Sequence, residues 1–406
     1  MWLSELQVVL PDQVLPCGSL RIEGDRIAEI VEGPVRWPTV NGRRLVVLPG
    51  FIDIHGDMLE REIAPRPNAN FPVDLALLEL DKRLAGAGVT TAYAAISFAR
   101  WGDGKDLRSE ERAMGLVTQA QAMQRDLLVD LRVHARFEVT NRHAVPVLRD
   151  LIAARQVGLV SLMDHTPGQG QYRDIEMYIN YIAQWRRADR AAIEEKVRER
   201  IRLAQANPPS WEVVRDVTTL ACEHGIPLAS HDDDTQAKVG LVAGLGVRIS
   251  EFPVTLEAAQ EARVRGMSVA MGAPNLLLGG SHQGNLGSKE ALHHGLVDML
   301  ASDYYPAALL QAVFIIANEG TLPLHLATRL VSQGPAAALG LADRGSLCVG
   351  KLADLVLVEA DGRPRVRGTI RNGLCTYWDS QMAARTCRQG SADQLALLAP
   401  SRALDD

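Results

Sequence analysis

The stretch LPGFIDIHGDMLERE, residues 48–62, has the pattern of a short buried strand that ends in polar residues. Side chains alternate between the two faces of a strand, so His55 and Asp57 point to the same side. An imidazole nitrogen and a carboxylate oxygen placed together suit a divalent ion such as zinc, manganese or iron. The stretch therefore predicts the first strand of a parallel sheet, with the beginning of a metal site at its carboxyl end.

Residues 49–340 alternate strand-like apolar runs with helical segments, which is typical of repeated βα units. Eight such runs predict an α/β fold of the (β/α)8 type, a TIM-like barrel whose active site lies where the strands end. The eight runs are GFIDIHGD, VTTAYAAISF, LRVHARFEVT, GLVSLMDH, IPLASHDDD, VRISEFPV, MSVAMGAP and LVDMLASD. Residues 170–210 are longer than one crossover needs, so we expect an insertion there, either a lid over the barrel mouth or a solvated surface helix.

The two ends of the chain share a different pattern, in which short apolar runs alternate with turn residues. Neither end could bury a face by itself, so we expect residues 1–48 and 341–390 to pair in a small β-sandwich. The predicted organisation is thus a catalytic barrel over 49–340, a β-sandwich domain from the two ends, and a C-terminal tail over 391–406.

The composition excludes several classes of function. The 43 Lys and Arg residues against 49 Asp and Glu give a net charge of -6, which argues against a nucleic-acid-binding protein. No apolar run approaches the ~18 residues that span a bilayer, and the first residues do not resemble a signal peptide. The five cysteines have no CxxC spacing, so no thiolate zinc site is indicated. We therefore expect a cytoplasmic protein that contacts neither nucleic acid nor membrane.

Further metal-capable side chains end other predicted strands. His165 ends GLVSLMDH, His231 ends the apolar part of IPLASHDDD, Asp303 ends LVDMLASD, and Glu138 lies late in LRVHARFEVT. Charged groups are costly in such buried positions unless they are paired or bound to a cation. A shared metal centre at the barrel mouth explains all of them together.

These motifs resemble the amidohydrolase superfamily of metal-dependent barrels. The resemblance rests on PGFIDIH, on the single histidines that end two later strands, on the late Asp, and on the closing GSLCVGKLADLVLV. Four further strings, IHGDMLEREIAPRPN, MDHTPGQGQY, SHDDDT and GGSHQGN, are similar to those of its PhnM-type diphosphatases of phosphonate breakdown. The resemblance implies a small-molecule substrate, a phosphorylated sugar phosphonate. It implies hydrolysis of α-D-ribose 1-methylphosphonate 5-triphosphate to the 5-phosphate and pyrophosphate, by attack of a metal-activated hydroxide on the α-phosphorus.

The resemblance also implies two divalent metal ions, which we expect to be zinc, with manganese or iron as alternatives. The superfamily usually opens with HxH and bridges its metals by a carboxylated lysine or a glutamate, whereas this chain has Asp57 in place of the second His. None of its six lysines ends an apolar strand, so Glu138 is the expected bridge. Asp303 is expected to act as general base as well as ligand. The first metal is assigned to His55, Asp57, Glu138 and Asp303, and the second to His165 and His231.

A triphosphate needs several cationic contacts, and guanidinium groups suit phosphate oxygens. The expected substrate-binding residues lie near the metal ligands or the strings quoted above: Arg61, Arg66, Arg136, Arg142, Arg173, Lys238 and Lys289. The turn that contains Gly280 and Ser281 could hold a phosphate through its backbone N–H groups. His282 in the same turn is expected to bind a phosphate or to protonate the leaving group.

Two alternatives stay open at this point, because fold and ligands constrain the reaction only loosely. The first is an amidohydrolase that acts on a cyclic amide or an N-acyl amino acid with the same metal pair. The second is a metal-free scaffold or interaction protein that kept the barrel and lost the chemistry. The sequence also leaves a homo-oligomer open.

Overall fold

The computed structural model describes residues 1–66, 69–99, 108–206, 208–280 and 284–386 of the chain. Five strands precede the predicted barrel. They alternate apolar residues with turns, as the sequence pattern predicts, and they are β1 (Trp2–Val9), β2 (Val14–Glu23), β3 (Arg26–Glu32), β4 (Val40–Asn41) and β5 (Leu45–Pro49).

Eight parallel strands follow, and each pairs with the next one along the chain. They are β6 (Phe51–Gly56), β7 (Val89–Phe98), β8 (Asp130–Glu138), β9 (Leu159–Met163), β10 (Leu228–His231), β11 (Ile249–Glu251), β12 (Ser268–Gly272) and β13 (Met299–Ala301). All eight predicted runs contain one of these strands. Gly56 bridges Asp303 in parallel register and thereby joins the first strand to the chain just beyond the last. The predicted barrel is therefore confirmed.

Helices cover the outside of the barrel. They are α1 (Met58–Ile63), α2 (Val73–Gly86), α3 (Glu110–Met123), α4 (Ala144–Ala153), α5 (Ile175–Arg186), α6 (Arg190–Ala206), α7 (Trp211–Glu223), α8 (Gln236–Gly244), α9 (Leu256–Val264), α10 (Ala273–Leu278), α11 (Ser288–His293), α12 (Ala308–Asn318), α13 (Leu324–Arg329) and α14 (Gln333–Ala338), with a 3-10 turn at Gly170–Tyr172. Within the described residues no helix is both long and apolar enough to cross a membrane.

The C-terminal part of the chain returns to the N-terminal strands. It forms β14 (Leu355–Glu359), β15 (Arg365–Arg371), β16 (Leu374–Trp378) and α15 (Ser380–Arg385). The hydrogen-bonded order is β16-β15-β14-β5-β1-β2-β3, with β4 paired to β1. The two ends of the chain therefore pair in one sheet, as the sequence predicts. The boundaries of the separate domains stay predictions.

Side-chain alternation explains how this terminal sheet is attached to the barrel. Val356 and Val358 of β14 belong to the large core that includes the barrel helices, whereas Leu355 and Leu357 belong to the core of the terminal strands. Because neighbouring residues of a strand face opposite sides, one face of the sheet packs on the barrel and the other covers its own apolar core. This attachment holds the first barrel strand, which begins directly after β5, in place.

The predicted insertion is a helical hairpin made of α5 and α6. It has a small apolar core of its own, in which Tyr178 and Ile179 of α5 pack with Ile193 and Val197 of α6. Asp174 caps α5 by accepting a hydrogen bond from the backbone N–H of Met177, and Arg187 ends that helix in the left-handed region. A hairpin with its own core keeps its shape where it leaves the barrel wall.

Candidate active site

The predicted metal ligands meet at the carboxyl ends of the barrel strands, beside the junction of the first and last strands. At this junction the backbone N–H of Asp57 donates to the carbonyl of Asp303 (2.6 Å), and the N–H of Asp303 donates to the carbonyl of His55 (2.9 Å). These two hydrogen bonds hold three predicted ligands in register. Their side chains form one group in which each offers a ligand atom within 4.8 Å of the others.

Asp303 is held from behind by the first strand. The buried carboxylate of Asp53 accepts hydrogen bonds from the backbone N–H of Ser302 (3.0 Å) and from its hydroxyl (2.5 Å). Asp303 itself has a φ of +55°, in the left-handed region that residues other than Gly, Asn and Asp seldom adopt. Burial and the neighbouring Asp57 raise the pKa of Asp303 to about 6. The carboxylate of Asp303 is therefore held in one position, and its ionised form is partly disfavoured there.

His55 lies between two carboxylates. Its Nδ1 is 3.4 Å from Glu251 Oε1, and its Nε2 is 3.4 Å from Asp57 Oδ1. Burial disfavours the charged imidazole, but Glu251 and Asp57 outweigh burial and raise the pKa of His55. Glu251 is fully buried, and the imidazoles beside it hold its pKa below the usual range in spite of that burial. A positive charge in this place is therefore favourable, whether it is a proton or a metal ion.

Arg136 is the cation that Asp57 contacts. Its Nη1 donates to both carboxylate oxygens of Asp57, at 2.7 and 2.8 Å, and its Nη2 lies 3.4 Å from His231 Nε2. Burial opposes the ionised carboxylate, yet Arg136 and His55 hold the pKa of Asp57 well below its usual range. We predicted Arg136 as a substrate ligand from its position near Glu138. The structure places it between two predicted metal ligands.

A second group of ligand atoms consists of His165, His231 and Asp232. The Nδ1 of His231 lies 2.9 Å from Asp232 Oδ2, but the two atoms lack the alignment of a hydrogen bond, and neither has another hydrogen-bond partner. Glu251 Oε2 is a third buried atom without such a partner, and Glu251 groups with His55 and His231. Buried polar atoms of this kind are costly unless a cation binds them. The residues present therefore fit a bound divalent metal ion.

Glu138 contacts His165 rather than the ligands of the first group. One carboxylate oxygen lies 2.8 Å from His165 Nδ1, and the other accepts from the backbone N–H of His165 at 3.0 Å. Among the described residues, the groups that could hold a metal ion do not include Glu138. A carboxylate on Nδ1 leaves Nε2 of the imidazole for a metal, which is the usual way in which a histidine ligand is oriented.

Most of these ligands line a cavity of about 1670 Å³: Asp57, His165, His231, Asp232 and Asp303. Among the predicted substrate ligands, Arg61 and Arg136 line it, and the Arg61 guanidinium lies 5.5 Å from the ring centre of Tyr304. The hairpin α5–α6 forms part of the wall, through Tyr178, Tyr181 and other residues that include Lys196 and Arg200.

The other predicted substrate ligands of the described part of the chain are not among the residues that line this cavity. Arg66 is exposed, Arg142 bonds the carbonyl of Pro208, Arg173 bonds the carbonyl of Gly284, Lys238 bonds the carbonyls of His231 and Asp232, and Lys289 pairs with Glu319. Gly280 and Lys289 line a separate surface pocket of about 540 Å³. Ser281 and His282 lie outside the described residues.

The structure adds residues that we did not assign as metal ligands or cavity cations, among them Asp232 and Glu251 in the metal-capable groups and Arg108 and Lys196 in the cavity lining. Glu251 ends β11 as His231 ends β10, so the rule of polar residues at strand ends could have found it. Arg108 and Lys196 line the cavity, Arg108 as a bidentate partner of Glu60. They lie in a loop and in the insertion, where the sequence offers no strand end that would reveal their direction.

Comparisons with known proteins agree with this geometry. Residues 46–376 match the description of the Amidohydrolase family. The chain is 38% identical over 368 residues to the α-D-ribose 1-methylphosphonate 5-triphosphate diphosphatase of Escherichia coli K12. The match covers 88% of this chain and 95% of that protein. The fold is similar to that of a dihydropyrimidinase from Brevibacillus agri (TM-score 0.65, 13% identity, 95% and 96% of the two chains). It is also similar to that of N-acetyl-D-glucosamine-6-phosphate deacetylase from Mycobacterium smegmatis (TM-score 0.61, 17% identity, 93% and 100%).

The matched segment begins in β5 and ends in β16, so it includes the whole barrel and the C-terminal strands of the terminal sheet. The relative from Escherichia coli is similar over almost all of its length. The predicted resemblance is thus confirmed: the chain belongs to the amidohydrolase family.

Proposed function

We propose that the protein hydrolyses α-D-ribose 1-methylphosphonate 5-triphosphate to the 5-phosphate and pyrophosphate. Two groups of metal-capable side chains, most of which line a large cavity that also contains several Arg and Lys side chains, carry this proposal. The relative of similar length that is named for this reaction supports it. A polyphosphate needs both the metal-binding groups and the cationic side chains, since each of its phosphates brings negative charge into the cavity.

The metal ions would be held by His55, Asp57 and Asp303 in one group and by His165, His231 and Asp232 in the other, with Glu251 beside His55 and His231. Such divalent ions, when bound, activate water and neutralise charge on a phosphoryl group. We predict zinc, with manganese or iron as alternatives, since histidine and carboxylate ligands accept all three.

The remaining steps belong to side chains of this protein. Asp303 lines the cavity and accepts the proton of the attacking water, as a positioned carboxylate can. Arg136 compensates the charge of Asp57, and Glu138 orients the ring of His165. Arg61, stacked on Tyr304 next to Asp303, binds a phosphate oxygen of the substrate. Water adds to the α-phosphorus and pyrophosphate leaves.

A substrate panel tests the reaction class. The purified protein is incubated with the ribose triphosphate, with a hydantoin or dihydropyrimidine as cyclic amide, and with N-acyl amino acids, while released pyrophosphate and released amine or ring-opened acid are measured. We expect pyrophosphate from the triphosphate. Amide hydrolysis without release of pyrophosphate would replace the proposal by an amidohydrolase activity.

Removal of metal is expected to lower stability as well as activity. The carboxylates of Asp57, Asp232 and Glu251 each belong to a group of metal-capable side chains, and a bound cation would compensate their charge. One ion present at about 100 times its dissociation constant stabilises the fold by about 2.7 kcal/mol. We expect a chelator to lower the thermal midpoint and added zinc or manganese to restore it, as followed by calorimetry. Less than one metal per chain after gentle purification, with no shift on adding either ion, would favour the metal-free scaffold.

A further inference from the structure

The hairpin α5–α6 forms a wall of the same cavity that holds the proposed metal ligands. Tyr178 and Tyr181 line this cavity from α5, and Lys196 and Arg200 line it from α6, together with Asp303 from the barrel. The hairpin is attached to the barrel through Arg200, which donates to the Tyr178 hydroxyl at 2.7 Å and to the carbonyl of His165 at 3.1 Å. The second helix is thereby joined to the backbone of a proposed metal ligand.

Helix α6 carries two kinds of cation. Arg198 forms an ion pair with Glu194, and Arg202 forms one with Glu199, so both are compensated along the helix. Lys196 has no carboxylate within ion-pair distance among the described residues, although it lines the cavity. It lies four residues before Arg200 and therefore on the same side of the helix.

Two acidic neighbours of Lys196 on the helix, Glu195 and Glu199, also line the cavity. Glu199 forms its ion pair with Arg202, and Glu195 points about 100° away from Lys196 around the helix. Arg61 lines the cavity too and stacks on Tyr304, likewise without a carboxylate partner in the described part of the chain. The cavity thus offers one uncompensated cation from α1 and another from the hairpin.

We propose that Lys196 binds the terminal phosphate of the triphosphate, so that the hairpin selects polyphosphates over substrates with fewer phosphates. This inference rests on the proposed function. Arg61 lies next to Tyr304 and Asp303 and serves the phosphate at the bond that is cleaved. Lys196 belongs to the insertion and serves the outer end of the leaving group. An ammonium group on a flexible stem suits this place, since a terminal phosphate is a compact charge that takes several orientations.

The test combines a change in the protein with a change in the substrate. The variants are Lys196→Gln, Lys196→Arg as the charge-retaining variant, and Lys82→Gln as a control at an exposed lysine that pairs with Glu79 outside the cavity. Each is assayed with the ribose 5-triphosphate and with the corresponding 5-diphosphate. We expect Lys196→Gln to lose about tenfold in kcat/KM for the triphosphate and less than about twofold for the diphosphate, the size of one charge-assisted hydrogen bond. Lys196→Arg should regain most of the loss, and Lys82→Gln should change neither value.

Other outcomes separate this inference from the proposed function. Equal losses on both substrates, or no loss on either, with normal pyrophosphate release by the wild-type protein, would overturn the role of Lys196 and leave the diphosphatase activity in place. If the wild-type protein releases no pyrophosphate, the proposed function fails. In that case the binding of inorganic tripolyphosphate, measured by calorimetry, tests the role of Lys196 by itself. Binding about tenfold weaker in Lys196→Gln, with unchanged binding of orthophosphate, supports the subsite, and equal affinities reject it.

Discussion

Replacement of Asp303 by asparagine is expected to reduce turnover by at least about 100-fold while metal stays bound. The amide keeps an oxygen that can ligate a cation but cannot take a proton from water. The change is measured as kcat for pyrophosphate release, together with the metal content of the same preparation by elemental analysis. Asp361→Asn, at an exposed position that pairs with Arg44 in the terminal sheet, is the matched control and should keep full activity.

The structure explains why this substitution should lower turnover without disturbing the fold. The hydrogen bonds between Asp303 and both His55 and Asp57 are made by backbone atoms, so they do not depend on the carboxylate. Asparagine also tolerates the left-handed backbone that position 303 requires, with its φ of +55°. The thermal midpoint should therefore change little. Turnover near that of the wild type, with metal bound, would remove Asp303 from the role of base.

Much of the fold could be predicted, because its signals are local. The barrel strands are apolar runs, several of which end in or just before a polar residue, and parallel strands place those ends at one mouth. This rule identified His55, His165, His231 and Asp303. The same rule applies to Glu251, which ends β11 and which we did not assign as a ligand.

The cation positions could not be predicted in the same way. The direction of a long side chain depends on which carboxylates and carbonyls lie near it after folding. Lys289 pairs with Glu319, thirty positions later along the chain, and Arg108 pairs with Glu60 of another element. The sequence does not show which residues form such pairs after folding. A basic residue close after a metal motif is thus a weak indication of a phosphate contact, whereas a histidine that ends a buried strand is a strong one.

The second large effect is expected from Glu251. We predict that Glu251→Gln weakens metal binding by more than about 100-fold, whereas Glu138→Gln weakens it by about 10- to 100-fold, as is typical of a carboxylate that orients a histidine ligand. The reason is that Glu251 is fully buried within reach of His55 and His231 and has an oxygen without a hydrogen-bond partner, whereas both oxygens of Glu138 already contact His165.

The comparison needs metal affinity as its readout, because both substitutions would lower activity. Metal-stripped proteins are dialysed against buffers of defined free zinc, and the bound metal per chain is measured at each concentration, with Glu79→Gln at an exposed ion pair as control. A greater loss in Glu138→Gln than in Glu251→Gln would restore Glu138 as the bridge that the sequence predicts, and it would require the ring of His165 to release that carboxylate when metal binds. Glu138 lies on β8 and Glu251 on β11, on different sides of His165 and His231 in the strand order. The ranking of these two variants therefore also decides which strands supply the metal ligands.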